Sequence, residues 1–501
     1  MSPQGTSRAR ASRSCGNCRA VKRRCDQKLP HCGQCIRTQS ECPGYRDEWE
    51  LVFRDQTKQT ITRSRKKEAE KTASSTKDHD SPRPVCGLGP SVDEIGVNYF
   101  LRNFVVGGQS PAHGFLNYIP TVFSADGEHR TLVASLAAVG LMAMAGQQPE
   151  LTSHARLKYS EAIHNINRAL ASPVESVKDS TLMSVISLGV FEHISSFESW
   201  VRHVEGAAAL VVARGRSQFS NPAAILMFNQ VRADMVVACI QRIQPFPADM
   251  WELQEEASRR MQGSSAFWSL GVLATRCVNL LWSVTFNGGK TAWCDLLDVG
   301  TRLQDELEDV AGILAVQAPY TTTRDVAGDP EIVYNGRIDL YSTSWTIRLW
   351  NHARILRIIT GEIVYYLLAK ILAMGAIPAG QTAQMQCRVE ETVQTLSALG
   401  DDILATVPQA LGFVSAASGA VVSRQHHASI DHKSHASVSG GYMLTWCLYT
   451  VGKAPVIKSQ TRWWIIRRLE DIGKIMGIAL ALDLAEDVVR IEKLIGDSDR
   501  N

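Results

Sequence analysis

The 501-residue chain has no long apolar run. The longest, Leu132–Ala145, is interrupted by Ser135. It falls short of the roughly 20 apolar residues that cross a bilayer, so no membrane partner is expected. The N-terminal stretch MSPQGTSRARASRSCG is polar and basic and lacks the apolar centre of a signal peptide. The expectation is a soluble, intracellular chain whose thiols stay reduced and open to metal. Strand signals are sparse, and no series of short alternating segments with hairpin turns runs along the sequence, which argues against a sandwich or barrel. There is no P-loop, no G-x-G-x-x-G, no H-E-x-x-H, no G-x-S-x-G element and no Asp-rich metal loop, so the body gives no support to an enzyme. With 45 % hydrophobic and 21 % charged residues, a wholly disordered, collagen-like or coiled-coil chain is excluded as well.

What is present is unevenly placed. The net charge is only +3, yet residues 1–90 hold 19 Lys and Arg against 10 Asp and Glu, and the remaining 411 residues hold 34 against 40. A basic head on a near-neutral body suits a polyanionic partner. Of twelve cysteines, six fall between Cys15 and Cys42; the other six are scattered, as small buried hydrophobes usually are. The chain divides into three parts: a cysteine-rich basic head at 1–46, a charged Ser/Thr-rich connector at 47–90 ending with Pro82 and Pro84, and a large body at 91–501. The connector cannot bury enough apolar surface to fold by itself.

The body reads as helical throughout, giving a mostly α chain with a small metal-bound head, a disordered linker and a large all-α domain. In 155–170, Tyr159, Ile163, Ile166 and Leu170 recur on one helical face. Asp179 or Ser180 is placed to cap the next run, and Gly215 to end the helix that begins near Trp200. Further helical runs are expected at about 221–242, 265–286, 336–374, 385–406 and 459–488, with loops at 317–331, 376–383 and 424–441. No internal repeat stands out.

The cysteine spacing is Cys15-x2-Cys18-x6-Cys25-x6-Cys32-x2-Cys35-x6-Cys42. A Cys-x2-Cys turn presents two sulfurs to one ion, and zinc prefers four thiolates in a tetrahedron. One such site would strand two cysteines; two zinc ions are served by six thiolates if two of them bridge. A segment this small has no adequate core, so metal would supply most of its folding energy. A disulfide knot is the alternative, disfavoured by compartment, and a sulfur-rich metal store would need neither the body nor the basic residues between the ligands. Those basic residues are the next clue. RAVKRR stands between Cys18 and Cys25, Arg8, Arg10 and Arg13 precede the cluster, and residues 1–46 carry ten basic and two acidic groups. A metal knot displaying this charge is a footprint for nucleic acid. Arg19, Arg23 and Arg24 are assigned mainly to phosphates, which position a domain without reading sequence.

CGNCRAVKRRCDQKLPHCGQCIRTQSEC resembles the binuclear zinc cluster, Zn2Cys6, of fungal transcription factors: six cysteines, a basic run after the second, Asp26 after the third, and Pro30 two residues before the fourth. The resemblance implies two Zn2+ ions, one held by Cys15, Cys18, Cys25 and Cys32, the other by Cys15, Cys32, Cys35 and Cys42, with Cys15 and Cys32 bridging. It implies two short helices, opening near Cys18 and Cys35 and related by a pseudo-twofold axis, the first entering the major groove of double-stranded DNA. Lys22 matches the family's base-reading lysine for a CGG triplet, a choice that suits the O6 and N7 acceptors of guanine; Val21 stands where many relatives are basic. Arg13, Arg19, Arg23 and Arg24 complete the expected DNA contacts. CPGYRDEWELVFRDQT resembles the segment just after the cluster in one branch of these factors. The body resembles the fungal-specific transcription factor regulatory domain, with Glu192, Trp200, His203, Gly206, Arg214 and Gly215 at its characteristic places. GGYMLTWCLYTVGKAP and RWWIIRRLEDIGKIMGIALAL resemble its closing helices. The implied protein is a nuclear, RNA polymerase II-type regulator, not an enzyme, reading CGG half-sites and answering to transcription machinery or a small effector. Relatives with this layout often control secondary-metabolite clusters or nutrient pathways.

A different class of protein, a helical small-molecule-binding protein or enzyme whose zinc head is a protein-interaction module, would bind CGG and scrambled DNA equally. Among other candidate sites, His426, His427, His432 and His435 crowd a Ser/Gly-rich stretch that reads as an exposed loop. His203 reads as a hydrogen-bonded core histidine. Trp345, Leu349, His352, Leu356 and Ile359 form a helical stripe that reads as packing, though a pocket for a small effector would use the same residues.

The connector also bears on assembly. Between Ile61 and Val85 only Ala69 and Ala73 are apolar, so no heptad can be threaded through it. Residues 1–90 are therefore expected to be monomeric and to occupy one triplet, any homodimer forming through the body. Sedimentation equilibrium of the 1–90 fragment checks this; a stable dimer without DNA would contradict it.

Overall fold

The computed structural model describes residues 14–28, 31–44, 89–107, 114–125, 130–195, 197–260, 265–286, 292–326, 328–375, 379–414 and 438–498. The chain separates into two units, Met1–Leu88 and Gly89–Asn501. In the first, α1 (Gly16–Ala20) and α2 (Gly33–Arg37) are single-turn helices. The second unit runs α3 (Val92–Asn103), β1 (Val106–Gly107), β2 (Gly114–Phe115), α4 (Ile119–Ala125), α5 (Arg130–Ala145), α6 (Thr152–Leu170), α7 (Asp179–Ser195), α8 (Phe197–Arg214) and α9 (Pro222–Arg242). It continues with α10 (Ala248–Arg260), α11 (Ala266–Phe286), α12 (Ala292–Gln317), β3 (Tyr320–Thr323), β4 (Ile338–Tyr341), α13 (Ser344–Ala373), α14 (Ala379–Leu404), α15 (Val407–Ala410), α16 (Val438–Lys453), α17 (Ser459–Met476) and α18 (Ala479–Ser498). The expected fold class holds: a small cysteine-rich head and a large helical body.

Local chemistry sets the helix ends. Ser91 caps α3 in a reciprocal box, its hydroxyl accepting from the Glu94 amide at 3.2 Å while its own amide donates to Glu94 Oε2 at 2.7 Å. Asn221 caps α9 through the Ala223 amide at 3.0 Å, with Pro222 in the first turn. Thr343 caps α13 through the Thr346 amide at 3.1 Å. Gly215 ends α8 at φ +64°, a left-handed value costly for a residue with a Cβ.

The long α13 is the centre of the body. It packs against α11, α12, α14 and α16, and nearly every turn buries an aliphatic or aromatic side chain. Helix α7 packs on α5, α8 and α18, which closes the end of the chain against its middle. Helices α9 and α11 have the length and hydropathy of a membrane span, but about half or more of each such segment is buried in the body, 61 % and 50 %. Arg232 is fully buried on α9, stacked 4.2 Å from the Trp268 ring and donating to Gln254 Oε1 at 3.0 Å and to Asn229 Oδ1. A buried guanidinium is tolerated when it is paired in this way.

Two expectations are corrected. The run at 336–374 is not one helix: Ile338–Tyr341 is a strand, antiparallel to Tyr320–Thr323 with Tyr320 opposite Tyr341. The partner strand lies inside the segment expected to be a loop at 317–331. Buried Asp339 decides the local structure, since it accepts from Thr322 Oγ1 at 2.8 Å and from both nitrogens of a two-pronged Arg337 at 3.1 and 2.7 Å. The stacked Tyr320–Tyr341 pair, 4.7 Å between ring centres, supplies the cross-strand contact. The run at 459–488 is two helices, because Gly477 turns the chain at φ +72° between α17 and α18. The connector at 47–88 and the His426–His435 stretch lie outside the described residues.

The tightest helix contact is that of α3 on α5. A Cβ on Gly140 would overlap the Gly96 carbonyl, so these backbones meet only because both positions are glycine. Gly140→Ala is expected to cost about 1–3 kcal/mol by overpacking. Gly312→Ala on α12, where a Cβ has open space, should gain up to about 1 kcal/mol. Urea unfolding midpoints of the two variants should move in opposite directions.

Candidate metal centre and nucleic-acid interface

The head is built twice. Cys15, Cys18 and Cys25 recur seventeen residues on as Cys32, Cys35 and Cys42, and CGNC recurs as CGQC. Backbone conformation keeps the same offset. Cys15 and Cys32 both cap their helices in extended geometry, their sulfurs accepting from the amides of Cys18 at 3.5 Å and Cys35 at 3.3 Å. Lys22 and Gln39 both adopt left-handed φ, +51° and +50°, as do Gln27 and Gly44, +56° and +80°. Each helix ends in the same pair of bonds. Arg23 N–H reaches Cys18 O at 2.8 Å and Lys22 N–H reaches Arg19 O at 3.1 Å; in the second half Ser40 reaches Cys35 at 3.0 Å and Gln39 reaches Ile36 at 3.1 Å. This is the Schellman closure, with Lys22 and Gln39 at its left-handed position.

The halves also hold one another reciprocally. Gly16 N–H donates to Gly44 O at 3.2 Å, and the equivalent Gly33 N–H donates to both Asp26 carboxylate oxygens at 2.9 and 3.1 Å. Asp26 therefore does from its side chain what the Gly44 carbonyl does from the backbone. Asn17 adds a bond across the halves to Glu41 O at 2.7 Å. The helices begin at Gly16 and Gly33, two residues before the cysteines where they were expected to open.

These elements gather the sulfurs. Cys15, Cys18, Cys32 and Cys35 are buried with all four Sγ atoms within 4.8 Å of one another, and Cys25 lies within the same distance of Cys32. The nearest pairs are Cys15–Cys32 at 3.6 Å, Cys15–Cys35 at 3.7 Å and Cys18–Cys32 at 3.8 Å. Zinc–sulfur bonds of about 2.3 Å give a tetrahedral edge of about 3.8 Å, so this spacing fits thiolates sharing an ion. It is far beyond a disulfide, near 2.05 Å, and all six are free thiols. The Cys35 amide bond pulls the Cys32 thiol down to about 6, and the amides of Cys32 and Gly44 lower Cys42. Desolvation among the other sulfurs pushes Cys35 up to about 12. Without metal most of these thiols keep their protons, so binding a dication would release protons from the cluster. The donor set fits a binuclear zinc cluster.

Lys22, Arg23 and Arg24 are exposed, and among the described residues none of their side chains has a hydrogen bond or ion pair. Arg19 differs: it is half-buried and its guanidinium donates to Ser14 O at 2.6 Å. Arg13 lies outside the described residues. The near-symmetry visible in the cysteine spacing extends to the residues between the ligands, CGNC recurring as CGQC.

In the body, His203 Nε2 lies 3.1 Å from the Tyr159 hydroxyl, which donates to Glu192 Oε1 at 2.5 Å. Burial lowers the pKa of His203. It is a hydrogen-bonded core histidine, as its helix face suggested. Arg214 pairs with Asp179 at the start of α7. Of the stripe on α13, Trp345 and Leu349 are buried in packing, while His352, Leu356 and Ile359 line a cavity.

The metal-centre geometry predicts about two zinc ions per chain and loss of head structure on chelation, since thiolate binding and folding are coupled. Native mass spectrometry of residues 1–50 with and without chelator checks this; one ion, or a chelator-resistant head, would contradict it. No curated protein and no solved structure matches the chain. Residues 13–49 match the family model of the fungal Zn(2)-Cys(6) binuclear cluster domain, so the head is a zinc-cluster DNA-binding domain of the fungal kind.

Proposed function

We propose that this chain is a nuclear, sequence-specific transcription regulator of RNA polymerase II genes that reads CGG-type triplets through its head. The observation that carries the reading is the run Lys22–Arg23–Arg24, exposed and, among the described residues, unpaired on the turn that closes α1 within the cysteine frame. In this reading Cys15, Cys18, Cys25 and Cys32 hold one zinc, Cys15, Cys32, Cys35 and Cys42 the other. The central position of Cys15 and Cys32, the closest sulfur pair at 3.6 Å, supports their bridging role. Lys22 reads guanine; Arg13, Arg23 and Arg24 meet phosphates, and Arg19 offers a phosphate the donors it does not spend on Ser14.

The division is a head at 1–46, a linker at 47–90 and a regulatory body of the fungal-specific transcription factor type at 91–501. The paired anchors Glu192–Tyr159–His203 and Arg214–Asp179, with the left-handed Gly215, support that view of the body. Control of a secondary-metabolite cluster or nutrient pathway, and homodimerisation through the body, complete the proposal.

Lys22 allows a clean test, because a left-handed non-glycine residue carries about 1–2 kcal/mol of strain. Lys22→Gly should leave zinc binding intact and the head at least as stable, yet weaken CGG binding by about 1–3 kcal/mol, as Lys22→Ala should. Arg24→Ala should weaken all sequences alike and reduce the salt slope by about one. Fluorescence anisotropy on CGG and scrambled duplexes separates these outcomes. Equal losses on both duplexes for the Lys22 variants, or no CGG preference in the unaltered chain, would sink the assignment.

A further inference from the structure

The body holds a partly open cavity of about 170 Å³ lined by α7, α8, α9, α13, α15 and α16. Its lining is largely apolar, with an aromatic wall of His193, Trp200, Tyr442 and Trp446. His193 and Tyr442 lie 4.5 Å apart between ring centres, and Trp446 Nε1 donates to His193 Nε2 at 2.9 Å, which fixes the wall. In volume the cavity is close to the roughly 150 Å³ apolar cavity that accepts benzene.

One lining group does not belong in a purely apolar space. Arg348 is deeply enclosed yet keeps accessible surface on the cavity. Its guanidinium sits over the faces of Phe115, at 4.5 Å, and Trp345, at 5.5 Å. Among the described residues it has no hydrogen bond and no ion pair, in contrast to buried Arg232, Arg354, Arg462 and Arg468, each of which is bonded. None of its guanidinium nitrogens is sealed in the core, so the donors remain open to an acceptor that enters the cavity. Among the described residues Asp234 is the one carboxylate on the lining, but it is engaged by Gln230 Nε2 at 2.9 and 3.0 Å and forms no ion pair with Arg348. Burial pushes the Asp234 carboxyl up to about 6, so it is still ionised at neutral pH and offsets only one of the two cations on the lining. Burial also keeps His193 and His352 neutral, both down to about 3. Lys453 adds a second cation to the lining, so the charges favour an anion.

We propose that this cavity is a binding site for a small aromatic carboxylate of single-ring size, its carboxylate on the Arg348 guanidinium and its ring against the His193–Trp446 wall. A planar guanidinium matches a carboxylate in two parallel hydrogen bonds, which a neutral amide cannot reproduce.

The test uses the zinc-loaded full chain and no DNA, so its outcome is separate from that of the DNA reading. Isothermal titration with benzoate, benzamide and benzylamine, each up to about 10 mM, compares one ring with three charges. Benzoate should bind at least about tenfold more tightly than either of the others. Arg348→Met should remove that preference and leave benzamide within about twofold; Arg348→Lys should restore part of it. Should Arg348→Met fail to fold, the three probes on the unaltered chain still decide. Equal affinity for benzamide, tighter binding of benzylamine (which would make Asp234 the anchor), or no saturable uptake of benzoate would overturn the proposal.

Discussion

Four buried sulfurs, those of Cys15, Cys18, Cys32 and Cys35, are drawn together at spacings of 3.6 to 3.8 Å that match the edge of a zinc–thiolate tetrahedron. Burial raises Cys35 while the Cys35 amide lowers Cys32, and a metal ion held by the sulfurs would take the place of their protons. The head depends on that constraint. The helix-capping sulfurs of Cys15 and Cys32, the Asp26–Gly33 bond and the left-handed turns at Lys22 and Gln39 are each one half of a reciprocal arrangement around the sulfurs. Metal chemistry thereby fixes the turn that carries the basic run. The rigidity that the proposed base contact needs would come from zinc, in a segment with too little apolar surface to supply it otherwise.

The two units rest on different physics. The body is held by apolar helix packing about α13 and by buried arginines that find partners within a few residues or across a helix pair. Arg348 is the exception, and it borders the cavity. Arg232, Arg354, Arg462 and Arg468 each have at least one hydrogen-bond partner, whereas among the described residues Arg348 has none.

Much of this was legible in the residues. The Cys-x2-Cys pairs fixed the metal chemistry because thiolate spacing is short-range and nearly independent of tertiary context. The helices around Tyr159, at 221–242 and at 265–286 were legible from periodicity, and the stop at Gly215 from its glycine. What escaped needed contacts distant in sequence. The β3–β4 pair is four residues per strand, too short for alternation to show, and depends on Asp339 meeting Thr322 and Arg337. The function of Asp26 became clear only as the counterpart of the Gly44 carbonyl, and the left-handed Lys22 only once its helix closure was seen. The cavity joins residues from six helices, and the stripe on α13 foretold just the part contributed by His352, Leu356 and Ile359.

The central claim is that zinc orders the turn that presents Lys22 to DNA. The most direct measurement tracks the affinity of the full chain for a CGG duplex as zinc is removed by chelator and then restored, with zinc content read in parallel. The account predicts that CGG preference falls with zinc occupancy and returns with it. A zinc-stripped chain that keeps its affinity and its preference for CGG would contradict it.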